Sequence, residues 1–354
     1  MGNEYKMDRL ISWIVRHSRD AKYNMSLSGL PEVIFHDFGI NTDPGNMKRS
    51  IEDVEKDLRE TLSELYEIPE RNLIITTGGS ESIFLMSQYA IRNGFTIHTG
   101  LPEYPPLFFV PEELGAHVVK MPWESLGGRS AGNGKRALFF SNPNNPQGNI
   151  RVEPGRADML PWKPSQSDLV YADEAFIEFA YGPKPRSLYH IADGMIINGS
   201  MTKFYGFSNL RVGWIAGPER LISQMGVIKS ITGAQNPVYP MWIAMQALQN
   251  REKFQARAHS IINENLNALN RFVNHNEHLH FIGKPTSSSY CLIGFDYETG
   301  SEKFCEELLR ETGVLLSPGD YFGTERSFRL CFTQKPEEFS DSLSIFQGYL
   351  DRIG

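Results

Sequence analysis

The chain has 354 residues, of which 40% are hydrophobic and 12% aromatic, so it can bury sizeable cores in one large and one smaller domain. A formal net charge of −7 and the lack of a basic run argue against nucleic acid or an anionic membrane as a partner. No apolar run approaches the roughly 20 residues that span a bilayer. The first residues also lack the apolar segment of a signal peptide, so we expect a cytoplasmic protein.

The predicted elements alternate along most of the chain. An amphipathic start at 7–17 leads into a loop-rich passage, and from about residue 50 to 250 short β-rich runs alternate with longer helical patterns. This alternation predicts the α/β class, with a mostly parallel sheet covered by helices. The candidate strands of this sheet are 72–76, 96–99, 118–121, 137–141, 169–172 and 195–198.

Beyond about residue 240 the pattern changes. One long helical pattern at 239–274 is followed by further candidate strands and helices, which predicts a separate α/β lobe. The candidate strands are 290–295 and 327–332, and the candidate helices are 302–312 and 337–353.

The three cysteines are widely spaced and form no Cys-x-x-Cys pair. This argues against a disulfide framework and against a zinc site, so we expect buried thiols and no metal. They are Cys291, Cys305 and Cys331.

Polar clusters directly follow four of the candidate strands. They are 78–80, 142–148, 173–175 and 200–203. In open α/β sheets ligands bind at the carboxyl ends of the strands, so we expect the four clusters to converge on one edge.

The last of these clusters contains Lys203, eight residues before Arg211. A lysine amine forms Schiff bases with carbonyls once its pKa is lowered, and a guanidinium is suited to holding a phosphate. Pyridoxal 5'-phosphate carries both an aldehyde and a phosphate. Taken alone, however, the two residues are far more typical of two solvated charges.

The other clusters have similar double interpretations. Glycines at 78–79 would let backbone N–H groups approach a phosphate at a helix start, or the segment is an ordinary turn capped by Ser80. Two prolines around Asn145 would hold its amide rigidly as a hydrogen-bond donor, or simply form a stiff turn. Asp173 ends a buried strand and needs a cationic partner, which is either a protonated pyridine nitrogen or a structural salt bridge.

In chain order the clusters form one set of motifs. They are Gly-Gly-Ser at 78–80, Asn-Pro-x-Asn-Pro-x-Gly at 142–148, Asp-Glu-Ala at 173–175, Ser-x-Thr-Lys at 200–203 and Arg-x-Gly at 211–213. From about residue 72 to 333 the chain resembles the class I/II aminotransferases, pyridoxal-phosphate enzymes of the aspartate-aminotransferase fold, fold type I.

The resemblance implies a large domain with a mostly parallel seven-stranded sheet and a smaller α/β domain built from both chain termini. The implied boundaries are 1–45 for the N-terminal part of the small domain, 46–245 for the large cofactor-binding domain, and 246–354 for the small C-terminal domain with its long linking helix.

The resemblance also implies roles for individual residues around pyridoxal 5'-phosphate. Lys203 would form the internal aldimine and later carry the proton between the substrate Cα and the cofactor. Asp173 would pair with the pyridine nitrogen and Tyr104, in Pro-Glu-Tyr-Pro, would stack on the ring. Asn145 would bond the phenolic oxygen. The residues that match the phosphate site are Gly78, Gly79, Ser80, Ser200 and Arg211.

Substrate contacts are implied in three places. Arg329 matches the arginine that clamps the α-carboxylate, whereas Arg326 is the better candidate for a surface charge. Gly29, in Ser-Gly-Leu-Pro, matches the segment whose backbone covers the same carboxylate, and Asn145 lies between cofactor and substrate.

The chain departs from the family pattern at several positions. Phe176 replaces the tyrosine that contacts the phenolic oxygen in many relatives, which would raise the pKa of the aldimine. Gln147 stands where threonine is usual, and the segment 40–50 does not align well enough to place the residue that a neighbouring subunit contributes. A homodimer is implied by the resemblance alone.

The sequence favours transamination of an α-amino acid with a 2-oxo acid. Histidinol-phosphate aminotransferases and threonine-phosphate decarboxylases remain alternatives, although Ser317 stands where both usually carry a second arginine. A non-catalytic regulator is a further alternative, but such proteins carry an added DNA-binding domain and only about 70 residues precede Asn72.

Overall fold

The computed structural model describes residues 5–43, 45, 48–127, 134–180, 182–192, 194–233 and 235–353. Within them the helices are α1 (Arg9–His17), α2 (Ile51–Tyr66), α3 (Gly79–Arg92), α4 (Pro106–Glu113), α5 (Glu219–Gly233), α6 (Val238–Gln249), α7 (Arg251–His275), α8 (Ser301–Thr312) and α9 (Pro336–Ile353). The strands are β1 (Tyr23–Asn24), β2 (Leu73–Thr76), β3 (Phe95–Leu101), β4 (Val118–Pro122), β5 (Lys135–Ser141), β6 (Leu169–Asp173), β7 (Met195–Ser200), β8 (Gly213–Ala216), β9 (Leu279–Phe281), β10 (Tyr290–Phe295), β11 (Val314–Leu315), β12 (Ser317–Pro318) and β13 (Ser327–Cys331).

The large sheet has seven strands in the order β2-β8-β7-β6-β5-β3-β4. Only β8 runs antiparallel to its neighbours β2 and β7, and the remaining pairs are parallel. This confirms the predicted fold class. Because helices cover both faces, central strands such as β6 are buried along their whole length.

Two helical layers enclose the large sheet. On one face α2 is capped by Ser50, whose hydroxyl accepts from the Asp53 N–H at 3.1 Å. The helix buries an apolar stripe at four-residue spacing against α6. That stripe is Val54, Leu58, Leu62 and Tyr66. On the other face α3 and α5 pack over a second apolar cluster.

The short strands β1, β9, β11 and β12 were not predicted, and two features of the larger part of the chain also differ from the sequence prediction. The helical pattern at 239–274 is not one helix, because Asn250 leaves helical geometry and separates α6 from α7. Strand β8 was not predicted. It has only four residues, 213–216, which are too few to show the alternation of a strand, and it begins at the glycine of the Arg-x-Gly motif.

The second lobe is built around a four-stranded antiparallel sheet in the order β12-β13-β10-β9. The start of the chain joins this lobe, because β1 pairs in parallel with β11 and the Trp13 indole donates to the Leu316 carbonyl at 2.8 Å. Leu10 and Met25 share an apolar cluster with α8 and α9. We retain the boundaries at 45 and 245 as a proposal, and residue 46 lies outside the described residues.

All three cysteines are free and buried, as predicted. In the part of the chain that the structure describes, no helix has the length and apolar character needed to cross a membrane.

A buried carboxylate joins three segments of the chain close to Lys203. Glu178, 3% exposed, accepts hydrogen bonds from the Tyr66 hydroxyl at 3.0 Å and the Tyr205 hydroxyl at 3.1 Å. It also forms an ion pair with the Arg251 Nε at 2.6 Å. The carboxylate therefore ties together α2, the start of α7 and the loop that follows Lys203.

Replacing Arg251 with methionine should lower the free energy of unfolding by about 3 kcal/mol, because the variant leaves the Glu178 charge buried without its cation. Chemical denaturation monitored by circular dichroism measures the change. Lys56→Met is the matched control, since Lys56 pairs with Glu60 on the exposed side of α2, and it should change stability little. Equal losses in the two variants would contradict the prediction.

Candidate active site

A cavity lies at the carboxyl ends of β5, β6 and β7, where the sequence predicted a ligand. Its volume is about 490 Å³ when the part open to solvent is included, and about 80 Å³ of it is available to the centre of a water molecule. Its lining residues are Gly79, Ser80, Ile83, Tyr104, Asn145, Asp173, Ala175, Phe176, Ser200, Thr202, Lys203 and Arg211. The structure thus brings most of the predicted site residues to one place.

Lys203 extends into this cavity, and its amine lies in an unusual electrostatic setting. Burial lowers the pKa of the amine to about 8, and the positive charges of Arg329 and Arg211 contribute to the same shift. The thiol of Cys331 and the carboxyl of Asp173 oppose it. With this pKa roughly a tenth of the amine is neutral at pH 7, far more than for an ordinary lysine, and the neutral form is the one that acts as a nucleophile or proton acceptor.

Asp173 is the last residue of β6 and is 6% exposed. Burial raises the pKa of its carboxyl group, while hydrogen bonds from the Ala175 N–H at 3.1 Å and the Asn198 amide at 3.0 Å act in the opposite direction. Both bonds end on Oδ1, so they leave Oδ2 for another partner. No Lys, Arg or His nitrogen of the described residues lies within 4.0 Å of this carboxylate, so the structural salt bridge considered above is not found.

Asn145 is linked directly to the buried Arg329. Its Oδ1 accepts from Arg329 Nη1 at 3.0 Å, which orients the amide so that Nδ2 is left to donate elsewhere. Arg329 is 2% exposed and also donates from Nη2 to the Ser26 carbonyl at 3.0 Å and to the Ser317 hydroxyl at 3.4 Å. Arg326, in contrast, is exposed, as predicted.

The predicted phosphate site lies at the start of α3. Gly78, with φ of 90°, occupies the N-cap position of α3, and no side chain caps the helix there. Ser80 lies inside α3, so the alternative of a cap by Ser80 is wrong. The φ of 90° at Gly78 is one that L side chains rarely adopt, which explains the glycine, and a Cβ there would also lie 3.0 Å from Arg211 Nη2. Ser200, at the end of β7, bonds the Thr202 hydroxyl at 3.0 Å. The N-terminus of α3, the Arg211 guanidinium and the hydroxyl side chains of Ser80 and Ser200 thus line the same part of the cavity, an arrangement that suits an anion.

Sequence reasoning missed the group that supports Tyr104 and Asn145. Glu103 is fully buried, and it accepts from the Tyr104 N–H at 2.7 Å, from the Ser141 hydroxyl and from Arg151 Nη1 at 2.9 Å. The Ser141 oxygen in turn accepts from the Asn145 N–H at 2.8 Å. Burial raises the pKa of Glu103 to about 7, although Arg151 and Ser141 oppose the shift. The sequence signal that could have identified Glu103 was its position next to Tyr104 in the Pro-Glu-Tyr-Pro motif.

Two other predicted positions have clear structural settings. Gly29 lies against the lysine segment, because a side chain there would come within 2.9 Å of the Thr202 carbonyl. Phe176 borders the cavity, with its ring 5.5 Å from Lys203 Nζ, and offers no hydroxyl to a ligand. The segment 40–50 includes positions outside the described residues, namely 44, 46 and 47.

The parallel sheet with a lysine and a carboxylate at its carboxyl edge defines the fold type I class of pyridoxal-phosphate-dependent enzymes. The model of the family "Aminotransferase class I and II" matches residues 40–343. The chain belongs to this family, and it is an aminotransferase with pyridoxal 5'-phosphate as its cofactor.

Known relatives agree with this assignment. The chain is 24% identical over 287 residues to histidinol-phosphate aminotransferase of Pelagibacter ubique (strain HTCC1062), covering 78% of this chain and 77% of the relative. It is 24% identical over 315 residues to nicotianamine aminotransferase A of Hordeum vulgare, covering 81% and 68%. The crystal structure of a pyridoxal-phosphate-dependent aminotransferase from Streptococcus suis 89-1591 superimposes with a TM-score of 0.81 at 20% identity, covering 99% of both chains.

The side chains present fit this cofactor. Asp173 is buried without a cation, and a protonated pyridine nitrogen is such a cation. The uncapped start of α3 and the adjacent Arg211 suit a phosphate, and Lys203 is the amine within the same cavity.

A second buried carboxyl group follows Asp173 directly. Glu174 is 1% exposed and accepts from the Leu188 N–H at 2.6 Å and the Ser187 hydroxyl at 2.7 Å. Burial raises its pKa to about 8, and the Asp173 charge adds to the shift. The folded protein therefore binds this proton more tightly than the unfolded chain does.

Between pH 4.5 and 8 the folded state retains a proton on Glu174 that the unfolded chain has lost, so this group makes the free energy of unfolding fall as pH rises. Glu174→Gln removes the titration and keeps the shape. We expect the stability of the variant relative to the parent to increase from pH 5 to pH 9, measured by urea denaturation. Glu64→Gln, on the exposed side of α2, is the control and should show no such trend. A pH-independent difference would refute the prediction.

Proposed function

We propose that this aminotransferase moves the α-amino group of an amino acid to a 2-oxo acid, with Arg329 binding the α-carboxylate of both. The observation that carries the proposal is the buried guanidinium of Arg329. Its hydrogen-bond partners, Asn145, Ser26 and Ser317, are all neutral, and no carboxylate of the described residues lies within 4.0 Å of it. A buried cation is costly without a counter-charge, and a substrate carboxylate supplies one.

The cofactor would be held by the side chains described above. We propose that Lys203 attaches it covalently, that Asp173 Oδ2 accepts from its pyridine nitrogen and that Asn145 Nδ2 donates to its phenolic oxygen. Tyr104 would cover the ring, and the phosphate would be bound by Gly78, Gly79, Ser80, Ser200 and Arg211. Bound there, pyridoxal phosphate supplies an electron sink conjugated to the amino nitrogen of the substrate.

Lys203 would also move the proton. Once the substrate has displaced the Lys203 amine from the cofactor, the neutral Nζ accepts the proton of the substrate Cα. It would later deliver this proton to the carbon that was the aldehyde carbon of the cofactor. The lowered pKa of about 8 supports this role, because it places the amine close to the pH at which such proton transfer is efficient.

A phosphorylated amine is the second candidate substrate, since several relatives are histidinol-phosphate aminotransferases. The neighbourhood of Arg329 favours a carboxylate instead. Ser317 contributes a neutral hydroxyl at 3.4 Å from Nη2, so one guanidinium would face the two negative charges of a phosphate. Glutamate formation from histidinol phosphate and 2-oxoglutarate at a rate above that of every amino acid would favour this candidate.

The proposal includes a homodimer in the cytoplasm. Two exposed apolar side chains lie one turn apart on α5, Val227 at 58% and Ile231 at 81% exposure, and they support a protein partner for this helix. Analytical ultracentrifugation of the full chain tests the dimer.

Lys203→Ala tests the covalent role. Borohydride reduction of the parent enzyme with bound pyridoxal phosphate should fix the cofactor to the Lys203 peptide, seen by mass spectrometry, and the variant should lose both this label and turnover. Lys229→Met is the matched control, because Lys229 is also buried and its pKa is also lowered. Lys229 lies on α5, outside the cavity lining, and donates to the Ile75 carbonyl. A label retained in Lys203→Ala would sink the assignment.

Arg329→Gln tests the carboxylate clamp. Removing one partner of a buried charged pair costs at least about 2 kcal/mol, so kcat/KM for the best amino acid should fall at least about 30-fold. Arg326→Gln is the control, because Arg326 is exposed and lies just before β13, the strand that carries Arg329. Its kcat/KM should equal that of the parent. Equal kcat/KM values for Arg329→Gln and the parent, measured by steady-state kinetics, would rule out the role of Arg329 in binding the carboxylate.

A further inference from the structure

The Lys203 amine has one hydrogen-bond partner among the described residues, and it comes from the opposite end of the chain. Nζ donates to the hydroxyl oxygen of Ser28 at 3.1 Å. Ser28 is 6% exposed and lies 175 residues before the lysine in the sequence. No role for this side chain follows from the motifs of the family, which concern the backbone of the next residue, Gly29.

The position of the Ser28 hydroxyl is fixed by its backbone. Three consecutive carbonyls of the segment 26–28 each accept a hydrogen bond from the C-terminal lobe, and Leu30 N–H donates to the Lys203 carbonyl at 2.9 Å. The carbonyl bonds are Ser26 with Arg329 Nη2 at 3.0 Å, Leu27 with the Thr333 hydroxyl at 2.8 Å, and Ser28 with the Ser289 hydroxyl at 2.7 Å. The hydroxyl is therefore presented to the amine by a segment held at both ends.

Other groups around the amine cannot replace this oxygen. The Phe176 ring, 5.5 Å from Nζ, offers only its π face, and no carboxylate lies within 4.0 Å of Nζ in the described ranges. The charged and titratable groups that influence the amine are Arg329, Arg211, Asp173 and Cys331. Two of these are cations that disfavour a protonated amine, so an adjacent acceptor has a large effect on it.

We propose that Ser28 is a catalytic residue that accepts a hydrogen bond from the Lys203 ammonium while this group carries the proton taken from the substrate Cα. In this step the Cα–H bond would break and an N–H bond would form on Lys203 Nζ, with bound pyridoxal phosphate as the sink for the electron pair. The ammonium then donates to Ser28 Oγ until the proton is delivered to the acceptor carbon. The inference rests on the proposed function of Lys203.

The first test measures the amine without any catalytic turnover. In the full chain freed of cofactor, the rate at which formaldehyde and cyanoborohydride methylate Lys203 is followed by mass spectrometry across pH, and the parent should show a midpoint of about 8. Ser28→Ala removes an acceptor of a charged donor, so the midpoint should fall by about one unit. A purely structural role for Ser28 predicts the opposite sign, because loosening of the segment would hydrate the amine and raise the midpoint.

The second test measures proton transfer in the enzyme with bound cofactor. The amino acid that the parent converts fastest among the twenty protein amino acids is used with hydrogen or deuterium at Cα, and the cofactor absorbance follows a single half-reaction. Ser28→Ala should slow this reaction about tenfold, and the isotope effect should increase because proton transfer limits the rate more fully. Ser28→Thr keeps the hydroxyl and should return both values towards those of the parent.

Ser342→Ala is the matched control, since it removes another buried hydroxyl that donates within α9 to the Glu338 carbonyl. It should leave the midpoint and the half-reaction unchanged. If Ser28→Ala does not fold, Ser28→Cys takes its place, because a thiol is a weaker acceptor of similar size and predicts the same direction.

An unchanged or raised methylation midpoint in the Ser28 variant would overturn the inference, and so would a half-reaction within twofold of the parent with the same isotope effect. A parent enzyme that reacts with no amino acid would instead count against the proposed function. In that case the methylation midpoint still decides whether Ser28 holds the Lys203 amine.

Discussion

The parallel register of β5, β6 and β7 is the constraint on which the site depends. Ser141, Asp173 and Asn198 lie directly across from one another on these strands, so three polar side chains form one row inside a buried sheet. Ser141 bonds to the Asn145 backbone and Asn198 bonds to Asp173, whose remaining oxygen is the one we propose for the cofactor. A slip of one residue between two strands would break this row and turn its side chains to the opposite face.

Buried charges divide into two kinds, and the difference separates scaffold from site. Glu178 with Arg251 and Glu103 with Arg151 are pairs whose charges compensate each other inside the protein. Asp173 and Arg329 are buried without an opposite charge at hydrogen-bond distance among the described residues. Unpaired charges are tolerated where a ligand completes them, so the cavity edge is polarised before the cofactor and substrate arrive.

The sequence predicted the sheet, its helical cover and the cavity because the relevant signals are local: an apolar run, then a glycine, proline or carboxylate at the strand end. It missed β8, whose four residues carry no periodicity, and it joined α6 to α7 because Asn250 is a weak helix breaker. It also missed the partners of Lys203 and Tyr104. Those contacts, from Ser28 and Glu103, depend on which distant segments become neighbours, and no local pattern encodes that.

The two ends of the chain meet at the site, and this has a consequence for biosynthesis. The bond between Arg329 and the Ser26 carbonyl joins residues 303 positions apart, and the pairing of β1 with β11 spans a similar distance. On the ribosome the seven-stranded sheet can assemble while the N-terminal segment still lacks its docking surface. The segment that presents Ser28 to Lys203 can dock only after Ser289, Arg329 and Thr333 have been synthesised, so the lysine side of the cavity is completed later than the large sheet.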